Sequence, residues 1–166
     1  MNALSIAIRP VRHDDVQACV RVIKSAFATV ADEFELTEKN APRFTAFAVN
    51  EERLLWQTEN EDRLMFVCSA GDEIVGYYSL LFTGDRSCEL NNVSVLPKMR
   101  HLGIGGALLK HSFRQARERG CKVMHIGIVE ENTRLRRWYE WYGFQHTGTK
   151  KFEFFPFTCG YMKKEL

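Results

Sequence analysis

The chain contains no Cys-x-x-Cys pair, and its five cysteines (Cys19, Cys68, Cys88, Cys121 and Cys159) are odd in number and widely spaced. This spacing excludes a zinc ribbon and offers no disulfide framework. The cysteines read as small buried apolar side chains in a reducing cytoplasm. No apolar run approaches the roughly 20 residues of a membrane span. The opening MNALSIAIRP has too short an apolar part for a signal peptide and is stopped by Arg9 and Pro10. Charge of one sign is also scarce. A net charge of +2 points to neither nucleic acid nor an acidic membrane, so any basic site is local. The five histidines (His13, His101, His111, His125 and His146) occur singly, without the spacing of a metal site.

No repeat, low-complexity tract or linker divides the chain. At 166 residues, one domain over positions 1–166 with one sizeable core is expected. The default is a soluble cytoplasmic chain without metal, nucleic-acid or membrane partners.

The order of elements carries more information. SIAIRPV reads as a short strand. Asp14 or Asp15 then caps a helix in which Val16, Val20, Ile23 and Phe27 recur at helical spacing. TVADEFELTEKN is polar and loop-like, and a second helix is expected over Pro42 to Gln57. From Arg63 the period changes: RLMFVCSA, EIVGYYSLLF and SCELNNVSV are three β-rich runs separated by Gly71-Asp72 and Gly84-Asp85. A helix to about Arg119 follows, with Gly120 as its stop. KVMHIGIV is apolar enough for a strand covered on both faces. A short helix spans Thr133 to Tyr142, and two strands around Pro156 complete the chain. The strand–helix–strand crossover over 87–129 makes its two strands parallel neighbours.

Between strand and helix lies VLPKMRHLGIGGALL, positions 95–109. Glycine is a poor helix former, yet Gly103, Gly105 and Gly106 crowd one helix start, with Lys98 and Arg100 just upstream. Such a turn lets backbone amides and the helix dipole meet a phosphate without an intervening β-carbon. It is equally the turn that packs a helix closely on its neighbours. The spacing is neither the G-x-G-x-x-G of a dinucleotide fold nor a P-loop, which needs a Lys-Ser/Thr pair.

Read as Arg100-x-x-Gly103-x-Gly105 after Val93-x-Val95-x-Pro97, the segment resembles the pyrophosphate loop of the GNAT superfamily of N-acetyltransferases. A second block, NTRLRRWYEWYGF, carries Asn132, Leu135, Tyr139, Gly143 and Phe144 in positions similar to that family's second signature. The resemblance implies an α/β (α+β) fold. Its mixed, mostly antiparallel sheet has about seven strands, with a central parallel pair splayed at a bulge and about four flanking helices. It also implies acetyl-CoA as donor, no metal, and an amine of a small molecule or peptide as acceptor. Other acyl donors, hydroxyl acceptors and a non-catalytic acyl-CoA sensor remain alternatives.

By the same resemblance, the amides of His101, Leu102, Gly103, Ile104, Gly105 and Gly106 face the pyrophosphate, with Arg100 as a charged edge. Val93, Ser94 and Val95 offer backbone groups to the pantetheine arm. Asn132 contacts that arm or caps its helix. Tyr139 is the candidate acid beside the sulfur or a core tyrosine. Glu89, on the strand face of Asn91 and Val93, is the candidate base. Trp138 and Trp141 read as packing residues.

For the acceptor, two features stand out. Asp32, Glu33, Glu35 and Glu38 form an acidic stretch that either attracts a cationic amine or is simply solvated. Phe152, Phe154, Phe155 and Phe157 form an aromatic tail. It lines an acceptor pocket, packs on the second helix or buries a homodimer interface.

Overall fold

The computed structural model describes residues 3–166. Seven strands form one sheet: β1 (Ile6–Pro10), β2 (Arg63–Ala70), β3 (Glu73–Gly84), β4 (Ser87–Val95), β5 (Val123–Val129), β6 (Gln145–Lys151) and β7 (Thr158–Glu165). Their spatial order is β1-β2-β3-β4-β5-β7-β6, and every neighbouring pair is antiparallel except β4 and β5. Five helices flank the sheet: α1 (Val16–Glu33), α2 (Thr45–Ala48), α3 (Glu51–Asn60), α4 (Ile104–Glu118) and α5 (Thr133–Trp141). This is the mixed sheet and helix complement that the resemblance implies. No helix among the described residues is long and apolar enough to cross a membrane.

Adjacent residues of β3 show how the layers divide. Tyr78 points at α4, where its hydroxyl lies 2.7 Å from His111 Nδ1. Tyr77 points the other way, toward Cys19 of α1, as strand alternation requires. Both rings are fully buried. A smaller cluster joins Ala31, Leu36, Ala41 and Phe44 to Val129 and Phe157. The aromatic tail therefore packs against the α1–α2 region, with Phe157 edge-on to Phe44 at 5.8 Å.

Three local readings are corrected. The helix expected over Pro42–Gln57 is broken, because Val49 and Asn50 are extended and the Asn50 side chain accepts from Arg53 N to start α3. Helix α1 continues through Glu33, into the stretch read as loop, because Ala31 finds a buried seat. Asp15 stands at the start of α1 but does not cap it. Its carboxylate accepts from Arg12 N at 2.7 Å and from both terminal nitrogens of Arg9 at 2.6 and 3.0 Å.

The central parallel pair is short. Only Ser87, Cys88 and Glu89 pair with β5, opposite Val123, Met124 and His125. Beyond Glu89, β4 carries one extra residue: Ser79 faces Asn91 but Tyr77 faces Ser94. Asn92 takes φ +55 at this bulge. A bulge re-aims a strand and ends its pairing, so the Leu90–Val95 edge facing β5 is left open.

Candidate active site

The link from β4 to α4 makes a 3-10 turn over Pro97–Met99, then two left-handed residues, His101 (φ +64) and Gly103 (φ +84). Gly103 precedes α4 without a side-chain cap. Beyond Arg100 N, which donates to Pro97 O at 3.3 Å, the next backbone amide to find a carbonyl is Ala107 N, on Gly103 O at 3.1 Å. Among the described residues, the six amides of His101, Leu102, Gly103, Ile104, Gly105 and Gly106 thus have no protein acceptor. Helix starts leave such donors free by geometry, and the left-handed turns extend the free run backward into the loop. Partial positive charge from α4 adds to it. The cradle fits an anion such as a pyrophosphate.

Two of its glycines also serve packing. A β-carbon at Gly105 would meet the Trp138 ring at 3.1 Å, and one at Gly106 would collide with the Tyr142 hydroxyl. Close helix packing and anion-ready amides coexist in this loop.

The basic residues upstream are placed differently from a charged rim. Arg100 is half-buried and donates to Ala26 O of α1 at 3.1 Å, and burial lowers its pKa. Lys98 pairs in solvent with Glu73 at 2.9 Å. Backbone donors therefore dominate the cradle.

Helix α5 presents Leu135, Trp138 and Tyr139 toward the core, joined by Tyr142 at its C-cap. Trp141 falls on the opposite side and is 85% exposed, which corrects its reading as a packing residue. Tyr139 is buried, edge-on to Trp138 at 5.0 Å and to Phe144 at 5.4 Å. Its hydroxyl has no hydrogen-bond partner among the described residues, and burial pushes its pKa up. The phenol therefore stays protonated, a donor and not a base. Asn132 is the N-cap of α5 and accepts from Leu135 N at 3.2 Å.

Val93 and Val95 are half-buried after the bulge, and Ser94 is buried with its hydroxyl donating to Asn92 O at 2.8 Å. Glu89 is half-buried on the α1 side of the sheet, directly across from His125. Burial first, then the charges of Cys159 and Glu89, raise the pKa of Tyr161 on β7. Glu89 has no ion-pair or hydrogen-bond partner among the described residues. The acidic stretch is exposed, and Glu33 reaches Arg134 at 3.3 Å.

One feature had no legible signal in the sequence. A cavity of about 230 Å³ lies on the α1 side of the sheet, lined by Arg43, Arg53, Gln57, Arg63, Asn91 and Asn92. These residues come from four separate segments, so only folding gathers them.

Residues 28–144 match the model of the Acetyltransferase (GNAT) family. The chain is 33% identical over 79 residues to an uncharacterised N-acetyltransferase of Mycobacterium tuberculosis, a match covering 48% of this chain and 51% of that relative. The chain thus spans about half the length of that curated relative. Over 138 residues it is 25% identical to an uncharacterised N-acetyltransferase of Archaeoglobus fulgidus, covering 80% of this chain and 88% of the relative. Its fold superposes on the PaiA N-acetyltransferase of Thermoplasma acidophilum, solved in complex with coenzyme A. The TM-score there is 0.76 at 18% identity, over 98% of this chain and 99% of that one. The family match covers most of the chain, and it belongs to the GNAT family of acetyltransferases.

Proposed function

We propose that this protein moves an acetyl group from acetyl-CoA to an amine within a ternary complex. The observation that carries the reading is the run of six partnerless amides from His101 to Gly106, set beside a parallel strand pair that opens at the Asn92 bulge. In this reading the amide run holds the pyrophosphate, and the open edge at Val93, Ser94 and Val95 holds the pantetheine arm. Asn132 supports the arm by fixing the start of α5.

Acetyl-CoA supplies the acetyl group as a thioester, open to attack by a neutral amine. An alkylammonium near pKa 10.4 is almost wholly charged at neutral pH, so Glu89 takes its proton, directly or through water. A free thiol has a pKa near 8.5, and Tyr139 keeps its proton at higher pH still, so its hydroxyl donates to the departing sulfur. The ammonium loses two protons on becoming an amide: one leaves to solvent by way of Glu89, and the second, shed by the nitrogen after attack, offsets the one that Tyr139 gives to sulfur, so one proton is released per turnover. No covalent enzyme intermediate is required.

Two measurements test this. Acetyl-CoA at a hundredfold excess over its Kd adds about 2.7 kcal/mol to native stability, a rise in Tm of roughly 5 °C or more. Release of free CoA is then followed across amines. Absence of any thermal shift at millimolar acetyl-CoA overturns the reading. A shift without CoA release for any acceptor leaves a binding module.

A further inference from the structure

The cavity beside Asn91 has a chemical character of its own. Arg43, Arg53 and Arg63 line it, and no Asp or Glu does. Arg63 is nearly buried and already neutralised: its Nε lies 2.6 Å from Glu61, and its NH1 donates to Ser79 Oγ at 2.7 Å and Asn91 Oδ1 at 2.9 Å. It acts as a rigid wall. Arg43 and Arg53 have no carboxylate within ion-pairing distance among the described residues, so two guanidinium charges stand uncompensated at the mouth. The Arg43 guanidinium lies over the Phe154 ring at 4.2 Å, which holds its plane in place. Gln57, one turn beyond Arg53 on α3, is only 7% exposed, yet its side-chain amide has no protein hydrogen-bond partner among the described residues.

Position ties this cavity to the proposed chemistry. Asn91 lies two residues from Glu89 on the same face of β4, about 7 Å along the strand. Asn92 is the bulge at which the strands part. The cavity therefore opens where an acceptor amine would approach the proposed base. At about 230 Å³ it admits a small molecule and falls below the usual size of a drug-sized site.

We propose that the acceptor is a small amine that also carries an anionic group, a carboxylate or a phosphoryl group, seated against Arg43, Arg53 and Gln57. The proposal rests on the transferase reading above and specifies its substrate class. Guanidinium groups bind such anions through paired, charge-assisted hydrogen bonds. A polycationic amine would instead bring like charge against both arginines.

Calorimetric titration of the CoA-saturated full chain tests it with matched probes: glucosamine 6-phosphate against glucosamine, β-alanine against β-alaninamide, and spermidine. Within at least one pair, the anionic probe should bind about tenfold or more tightly, the size of one charge-assisted contact. The pair that shows the preference tells phosphoryl from carboxylate. The doubly substituted Arg43→Gln, Arg53→Gln chain should bind the preferred anion to within about threefold of its neutral partner. Both side chains are exposed, so this variant folds. Equal or tighter binding of the neutral probes or spermidine overturns the proposal. So does a preference that survives the double substitution, or no binding of any probe. The thermal shift with acetyl-CoA keeps these failures distinct from failure of the transferase reading.

Discussion

Gly106, in the first turn of α4, lies directly beneath the Tyr142 hydroxyl of α5, nearer than a β-carbon could approach. The absence of a side chain lets two helices meet over the loop that carries the free amides. Overpacking a close contact costs about 1–3 kcal/mol, while Gly to Ala in a helix returns about 1 kcal/mol. Gly106→Ala should therefore lose about 1 kcal/mol net, a fall of roughly 2–4 °C in Tm. Tyr142→Phe in that background removes the colliding oxygen and should restore most of the loss. Thermal melts of the single and double variants check this, and an absent rescue would place the strain elsewhere.

Tyr139 offers a clean separation of chemistry from folding. Its hydroxyl has no protein partner among the described residues, and its ring sits between Trp138 and Phe144. Tyr139→Phe keeps the ring, so Tm should hardly move. Removing a general acid typically costs 10²–10⁴ in rate, so kcat should fall about 100-fold. Unchanged CoA release with every active acceptor would strip Tyr139 of the proposed role.

The amide cradle predicts a different phenotype. Gly103 holds φ +84 in open space, so a side chain there meets no clash but pays about 1–2 kcal/mol of left-handed strain. Gly103→Val should relax the loop and weaken acetyl-CoA binding by about tenfold, equivalent to 1.4 kcal/mol. Fluorescence or calorimetric titration measures it. Equal affinity in wild type and variant would remove this loop from the donor site.

Acid stability has a definite source in His111. Burial first, then the charge of Arg114, lowers its pKa in the folded chain, and Nδ1 faces the Tyr78 hydroxyl at 2.7 Å. The unfolded imidazole near pKa 6.5 therefore binds protons more readily than the folded one. Stability is fully present above that value and declines as pH falls below it toward the folded pKa. His111→Asn retains an acceptor near Nδ1 and should flatten this decline. Urea melts across that pH range read the slope, and an unchanged slope would assign the acid sensitivity to other groups.

Much of the fold was legible because periodicity reports local burial. The β-rich runs RLMFVCSA and SCELNNVSV place β2 and β4 over the same residues that the structure assigns. The change to a 3.6-residue period after the glycines places α4. Legibility fails where a neighbour decides. The Asn50 cap that divides α2 from α3 is a local signal hidden inside an apolar pattern. Trp141 is solvent-facing because Trp138 and Tyr142 already occupy the side of α5 that meets Gly105 and Gly106.

The sequence by itself determined the amide cradle proposed for the donor. Backbone donors at a glycine-rich helix start depend on residues contiguous in the chain, so VLPKMRHLGIGGALL specifies them wherever the rest folds. Only the tertiary structure decided the arginine-lined cavity proposed for the acceptor. Arg43, Arg53, Gln57, Arg63 and Asn91 meet because α3 and β2 pack beside the bulged end of β4. The acidic stretch, conspicuous in the sequence, stays in solvent. Electrostatic character at a cavity depends on which charges remain unpaired after packing, and contacts such as that of Arg63 with Asn91 are set by topology.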